Sequence, residues 1–269
     1  MKFNRHFLGD CRQELRRMFS YFLFGLGDTA QKNKELIQSL KNKYAGRRAF
    51  VVCNGPSLSA KDLDTIAENG DLSIACNKID KIFSRTKWRP TFYALMDQGY
   101  QYKLKDTMNA MPSELKVFRQ ESYYYTKNVA GKCIYVDTRV PDSTIYHPGF
   151  FEDITEHLAA VSTVTYSMFQ ILVHLGIREM YIIGCDNSYN KEMLKDGTII
   201  ERGIASYFEG AESKDNQIVG TTWQNTETFR YAREYADTHG IQIKNATRGG
   251  FLEVFERVEF DSLFNNIKA

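Results

Sequence analysis

Residues 50–59, FVVCNGPSLS, decide the fold. Four apolar residues, Phe50 to Cys53, give way abruptly to Asn54-Gly55-Pro56-Ser57. A run that is apolar on both faces suits a strand buried inside a parallel sheet, because such a sheet is covered on both sides. Pro56 has no amide hydrogen for a ladder, so the strand must stop there. SAKDLDTIAEN follows with a helical pattern, and Ser59 stands at its N-cap position. Strand, tight turn and helix together predict a ligand site outside the strand's carboxyl end.

The same grammar recurs downstream. LSIACN (72–77), TFYALMD (91–97, after Pro90), LKVFRQ, KCIYVDT, EMYIIGCD (179–186) and IQIKNAT (241–247) read as strands. TVTYSMFQILVHLG and TETFRYAREYADTHG read as helices, stopped by Gly176 and Gly240. The alternation predicts an α/β fold, Rossmann-like and doubly wound, with a mainly parallel sheet over residues 48–269. Several strands end in small or polar residues: Asn54, Asn77, Asp97, Asp186 and Asn245.

Residues 1–47 are expected to precede that domain as an N-terminal amphipathic helix and a polar helical connector. Phe3, Phe7, Cys11, Leu15, Met18 and Phe22 recur at helical steps, with Lys2, Arg5, Arg12, Arg16 and Arg17 mostly elsewhere. Two readings stand level: peripheral contact of residues 1–26 with an anionic membrane, or docking on the domain or a second subunit.

Composition narrows the rest. The chain has 269 residues, 43% hydrophobic and 25% charged, with a net charge of +2, which fits a globular domain and gives no sign of nucleic-acid binding. No secretory signal and no run of about 18 apolar residues is visible, so a cytoplasmic location, at the inner face of the plasma membrane if the helix binds there, is expected. Cys11, Cys53, Cys76, Cys133 and Cys185 have no framework spacing and read as small residues in a reducing compartment.

The strand ends carry the chemistry. NGPS is neither the dinucleotide fingerprint nor a Walker loop. Asn54 offers an amide to a base or ribose edge, Gly55 permits close backbone approach, Pro56 stiffens the turn, and Ser57 adds a hydroxyl before a helix. A plain turn with a cap explains the same residues. Asn77 ends the next strand alike, and Asp97 can hold a sugar hydroxyl. In GCDNSY, Gly184 and Asp186 close a strand, and Tyr189 can reach a phosphate oxygen. No Asp-x-Asp pair appears, so no metal is expected there. His147 reads as a loop residue, and His157 and His174 as helical ones.

VVCNGPSL, IACNKI, WRPTFYALMD, STVTYSMFQILVHLGIREMYIIGCDNSY and NATRGGFLEVFERVEF together resemble the bacterial hydroxymethylpterin diphosphokinase-like family of surface-glycan gene clusters. They are also similar to the CMP-sialic acid transferases of mucosal bacteria, over roughly residues 48–260. The resemblance implies a GT-A-like sialyltransferase variant: a metal-independent, inverting glycosyltransferase with a CMP-sugar donor, a glycan or lipid-linked glycan acceptor and no cofactor. It places Asn54, Gly55, Pro56, Ser57, Asn77, Ser162, Thr163, Gly184, Asp186 and Tyr189 at the nucleotide, and Asp97 near donor and acceptor. The customary histidines are absent, with Ser206-Tyr207-Phe208 and Ala211-Glu212 in their places. Glu212 is then the expected base and Tyr207 the phosphate ligand, and an arginine common before the long helix in the sialyltransferases is absent, with Val161 near its place. A Mg-dependent pterin pyrophosphokinase and a non-catalytic nucleotide-binding partner in glycan assembly remain alternatives, and homo-oligomerisation stays open.

Overall fold

Alternation along Ala49-Phe50-Val51-Val52 sends successive side chains to opposite faces of one sheet, and all four are buried. Ala49 and Val51 join a core shared with two long helices, whereas Phe50 and Val52 join a second core on the other face. Each such fully buried Val or Phe contributes about 1.5–3 kcal/mol, so a polar residue at Val51 would break the layer.

The computed structural model describes residues 5–101, 103–139, 145–211 and 219–265. In chain order the elements are α1 (Arg5–Gly25), α2 (Thr29–Leu40), β1 (Arg48–Val52), α3 (Ala60–Glu68), β2 (Leu72–Cys76) and β3 (Phe92–Leu95). There follow α4 (Gln98–Gln101), α5 (Lys105–Ala110), β4 (Leu115–Arg119), α6 (Tyr123–Thr126), β5 (Cys133–Val136), β6 (Thr138–Arg139) and β7 (Leu158–Ala159). The remainder are α7 (Val164–His174), β8 (Glu179–Ile183), β9 (Lys191–Met193), β10 (Ile199–Glu201), β11 (Val219–Gly220), α8 (Thr222–Thr238) and β12 (Gln242–Asn245).

The main sheet has the order β12-β8-β1-β2-β3-β4-β5, and every neighbouring pair is parallel. The expected Rossmann-like α/β architecture is therefore present. The strands are shorter than the apolar runs suggest: Asn54, Asn77, Asp97 and Asp186 lie in the turns beyond them. Asn77 takes a left-handed backbone (φ 51°), which Asn tolerates better than most residues. The small sheet β10-β9-β11 follows β8 and was not foreseen, because its strands are short and half exposed.

Two local expectations change. Ser59 sits at the N-cap of α3 with extended backbone, but its side chain makes no capping bond. The segment read as a polar helical connector contains α2, but it is more than a connector: it buries Ile37 and Leu40 in the core and ties Asn33 to both backbone groups of Tyr135 at 2.8 Å. Helix α1 docks through Ser20 and Phe24, the latter edge-on to Tyr123. Leu15, Met18 and Phe22, the described part of the foreseen apolar stripe, point outward instead, each at least 60% exposed. The side chains of Phe3, Phe7 and Cys11 lie outside the described residues. Among the described residues no helix is long and apolar enough to cross a membrane.

Candidate functional site

The strand order reverses at β1: β2 to β5 extend to one side, β8 and β12 to the other. A crevice opens beyond the carboxyl ends of strands at such a switch point. The NGPS turn sits there. The β1–β8 pairing runs on past the strands, as Cys53 donates its N–H to Ile183 O (2.9 Å) and Gly55 to Gly184 O (2.8 Å). Asp186 then reaches under the turn, and its Oδ2 accepts from Ser57 N (3.2 Å) and Ser57 Oγ (2.8 Å). A Cβ on Gly55 would lie 2.0 Å from that oxygen and 2.6 Å from Gly184 O.

These residues also serve the fold. The space a Gly55 side chain would take is filled by the protein's own carboxylate, while Gly55 lines the smaller cavity described below. Ser57, expected to face a phosphate, gives both its donors to Asp186. Pro56 and Ser57 do not line the cavities described below. Burial raises the Asp186 carboxyl, and the two Ser57 bonds oppose that rise.

Above the turn lies a cavity of about 690 Å³, which shares Asn77, Thr163, Tyr189, Tyr207 and Asn225 with a smaller one of about 110 Å³ over Asn54, Gly55 and Gly184. The amide of Asn54 donates to Cys76 O (3.2 Å), while its Oδ1 is buried without a partner among the described residues. The side-chain oxygens of Asn77, Asn187 and Asn225 are buried and unpartnered as well. A buried acceptor left so costs about 1–3 kcal/mol, so four around one crevice amount to a set of seats for a donor-rich ligand. Burial pushes the Cys76 thiol, which lines the smaller cavity, well above its ordinary range, so that thiol is neutral.

Donors come from the tyrosines. Burial pushes Tyr189 up to about 12, with the Asn225 side chain as its partner, and its ring fits only because residue 220 is glycine, where a Cβ would be 2.1 Å away. Burial raises Tyr207 too, and its phenol is hydrogen-bonded to that of Tyr100. Both phenols are therefore neutral O–H donors at pH 7, not bases. The loop carrying Tyr207 is pinned over the turn by Phe208 N–H donating to Asn54 O (3.0 Å) and by buried Phe208.

Ser162 and Thr163 line the large cavity as foreseen, but both hydroxyls also serve the fold. Ser162 Oγ pairs with Thr228 Oγ1 on α8 (2.8 Å), and Thr163 caps α7. Asp97 lines the same cavity, is exposed, and accepts Tyr100 N–H (3.2 Å). Ala211 is buried in the core, and Glu212 lies outside the described residues. Arg119 was missed. It ends β4, lines the cavity with Val161, donates to Met96 O (3.2 Å), pairs with Glu121, and keeps a buried Nε without a partner among the described residues. The strand-end rule that picked Asn54 would have found it in LKVFR. Asn225 and Gly220 carried no such signal, since one lies on a helix and the other in a two-residue strand. Among the described residues no three His, Cys, Asp or Glu converge in a way that could hold a metal.

Comparison with known proteins agrees with this architecture. No curated protein sequence matches the chain. The structure of the MAf glycosyltransferase from Magnetospirillum magneticum superposes with a TM-score of 0.51 at 18% identity, over 88% of this chain. This chain spans 39% of that one, so the likeness is one of fold. Yeast methylglyoxal/isovaleraldehyde reductase with NADPH aligns at a TM-score of 0.24 and 9% identity, over 73% of this chain and 56% of its own, too low to bear on the fold. The model of the 6-hydroxymethylpterin diphosphokinase MptE-like family matches residues 26–192, from just before α2 through the switch point to Tyr189 and beyond, and the chain belongs to that family.

Proposed function

We propose that this protein is a metal-independent, inverting glycosyltransferase that moves an acidic, sialic-acid-like sugar from a CMP-activated donor to a cell-surface glycan. The observation that carries the reading is the ring of unpartnered amide oxygens at the switch point, Asn54, Asn77, Asn187 and Asn225. These are acceptors, and ribose hydroxyls and the cytosine amine are the donors that match them. Tyr189 and Tyr207 supply neutral donors for the phosphate, and Arg119 supplies a cation for an acidic donor sugar. The metal-free part of the proposal is supported by the residues themselves, since the carboxylate at the turn is committed to Ser57.

In this reaction the acceptor oxygen attacks the anomeric carbon from the side opposite CMP. The bond from that carbon to the phosphate oxygen breaks, and CMP leaves with the electron pair. Hydrogen bonds from the two phenols stabilise the charge that develops on the phosphate. The acceptor's proton passes to a carboxylate, Asp97 on the cavity wall or Glu212, which lies outside the described residues. A lipid-linked acceptor suits the outward Leu15, Met18 and Phe22 beside Arg16 and Arg17, which we assign to the inner face of the plasma membrane.

The family's name favours a second reading, a Mg-dependent pterin pyrophosphokinase. A thermal-shift panel of CMP, CDP, UDP, GDP, ADP and ATP, with and without Mg²⁺, separates the two. CMP at about a hundred times its Kd should stabilise the native state by about 2.7 kcal/mol with EDTA present. Stabilisation by ATP only with Mg²⁺ would replace the transferase reading with the kinase. Silence from all six nucleotides would leave a non-catalytic partner.

A further inference from the structure

A third cavity, of about 480 Å³, lies between the β9–β10 hairpin and the first turn of α8. It shares Asn187 and Ser188 with the nucleotide crevice. Three features set it apart from an ordinary surface groove. Its wall carries two polar atoms on the first turn of α8, Thr222 Oγ1 and Trp223 Nε1, that are buried and without a partner among the described residues. Its rim carries Phe251, 71% exposed, on a backbone fixed by its N–H donating to Asp186 O (2.8 Å). Its charge is unbalanced. Among the described residues, Lys195, Arg202 and Arg230 face two carboxylates: Glu227, at 3.4 Å from Lys195 and 2.8 Å from Arg230, and Glu192, at 2.6 Å from Arg202.

Aromatic faces stack on the C–H faces of sugar rings, and a guanidinium grips a carboxylate in a planar fork. Lys195 Nζ already stands 5.6 Å from the centre of the Trp223 ring, so cation and aromatic form one surface. We propose that this cavity is the acceptor subsite and that it takes an acidic saccharide, with the sugar against Trp223 and Phe251 and its carboxylate on Arg202 and Arg230. The assignment to an acceptor rests on the glycosyltransferase reading. The binding of an acidic saccharide does not.

The chain has two tryptophans, and Trp88 is buried with its indole N–H donating to Ser73 Oγ (3.1 Å). Buried Trp88 lies outside this cavity's lining, so a change in tryptophan emission on adding a saccharide there is read as a change at Trp223. The whole chain is titrated with 3′-sialyllactose and with trigalacturonate, against lactose, maltotriose and sulfate. The acidic saccharides should change the emission saturably, and the neutral sugars and sulfate should not. Trp223→Phe should remove the signal. Arg202→Gln with Arg230→Gln, both at exposed positions, should weaken binding at least tenfold while the response of melting temperature to CMP stays as in the wild type. No change with either acidic saccharide overturns the proposal, as does an equal change with neutral sugars or with sulfate. If acidic saccharides bind but CMP does not stabilise the wild-type chain, the transferase reading fails and the saccharide site stands. The converse result sinks the site and spares the transferase.

Discussion

Gly55→Ala tests the stitching of the two central strand ends. The new methyl would lie 2.0 Å from Asp186 Oδ2 and 2.6 Å from Gly184 O. The carboxylate can swing away, but the carbonyl belongs to backbone at the centre of the sheet and cannot. Overpacking of this kind costs about 1–3 kcal/mol. Displacing Asp186 also breaks its bonds to Ser57 N and Oγ, and hydrogen bonds to a charged group are worth about 1.5–3 kcal/mol each. A loss of about 3 kcal/mol or more follows, which for a chain of this size lowers Tm by roughly 6–12 °C. Thermal denaturation followed by circular dichroism reads it. Gly25→Ala is the control, because nothing lies within 4 Å of a Cβ there. In Asp186→Ala the first clash is gone, so Gly55→Ala should cost less in that background, a coupling that a double-mutant cycle measures. A Gly55→Ala protein melting within about 2 °C of the wild type would show that the turn is not held in this way.

Other outcomes follow from the same geometry. His174 is buried, with Nε2–H donating to Ile37 O (2.9 Å) and Nδ1 accepting Ile154 N–H (3.4 Å), and burial lowers its pKa despite nearby Asp153. The unfolded chain then binds the extra proton first, so stability is lost as pH falls below about 6.5 toward the lower folded value. Melting curves between about pH 7.5 and pH 5.5 should show a drop that His174→Gln flattens. Tyr207→Phe should lower kcat by about 10²–10³-fold while stabilisation by CMP persists, because one donor to the leaving phosphate is removed. Asp97→Asn should lower kcat by about 10²–10⁴-fold, and unchanged turnover would move the base to Glu212. Tenfold looser CMP in Asn54→Ala, measured by calorimetry, would support the amide seat, and equal affinity would remove it.

The strands were legible because their chemistry is local. AFVV, LSIA and EMYII are apolar on both faces, and only a strand covered on both sides satisfies that pattern. The candidate site was half legible for the same reason, since Asn54, Asn77, Tyr189 and Tyr207 stand just past such runs or in the loop after them. Asn187, in the same loop as Tyr189, was passed over, and Asn225 was not legible, because an amide on a helix says nothing about which strand end it will face. A second reason for Gly55 was not legible on similar grounds. Its missing side chain serves Asp186, 131 positions away in the chain, and no local pattern reports that approach.

By itself, then, the sequence determined the parallel α/β sheet, the crowding of polar residues at its carboxyl edge and the turn that ends its first strand. Those depend on periodicity and on the backbone limits of proline and glycine. Only the tertiary structure decided the strand order, and with it the switch point between β1 and β8. It alone made Ser57 and Asp186 partners, brought Arg119 to the cavity in which Val161 stands, and turned Leu15, Met18 and Phe22 outward. Each of these is a meeting of distant segments, fixed by how helices and strands pack around two shared cores.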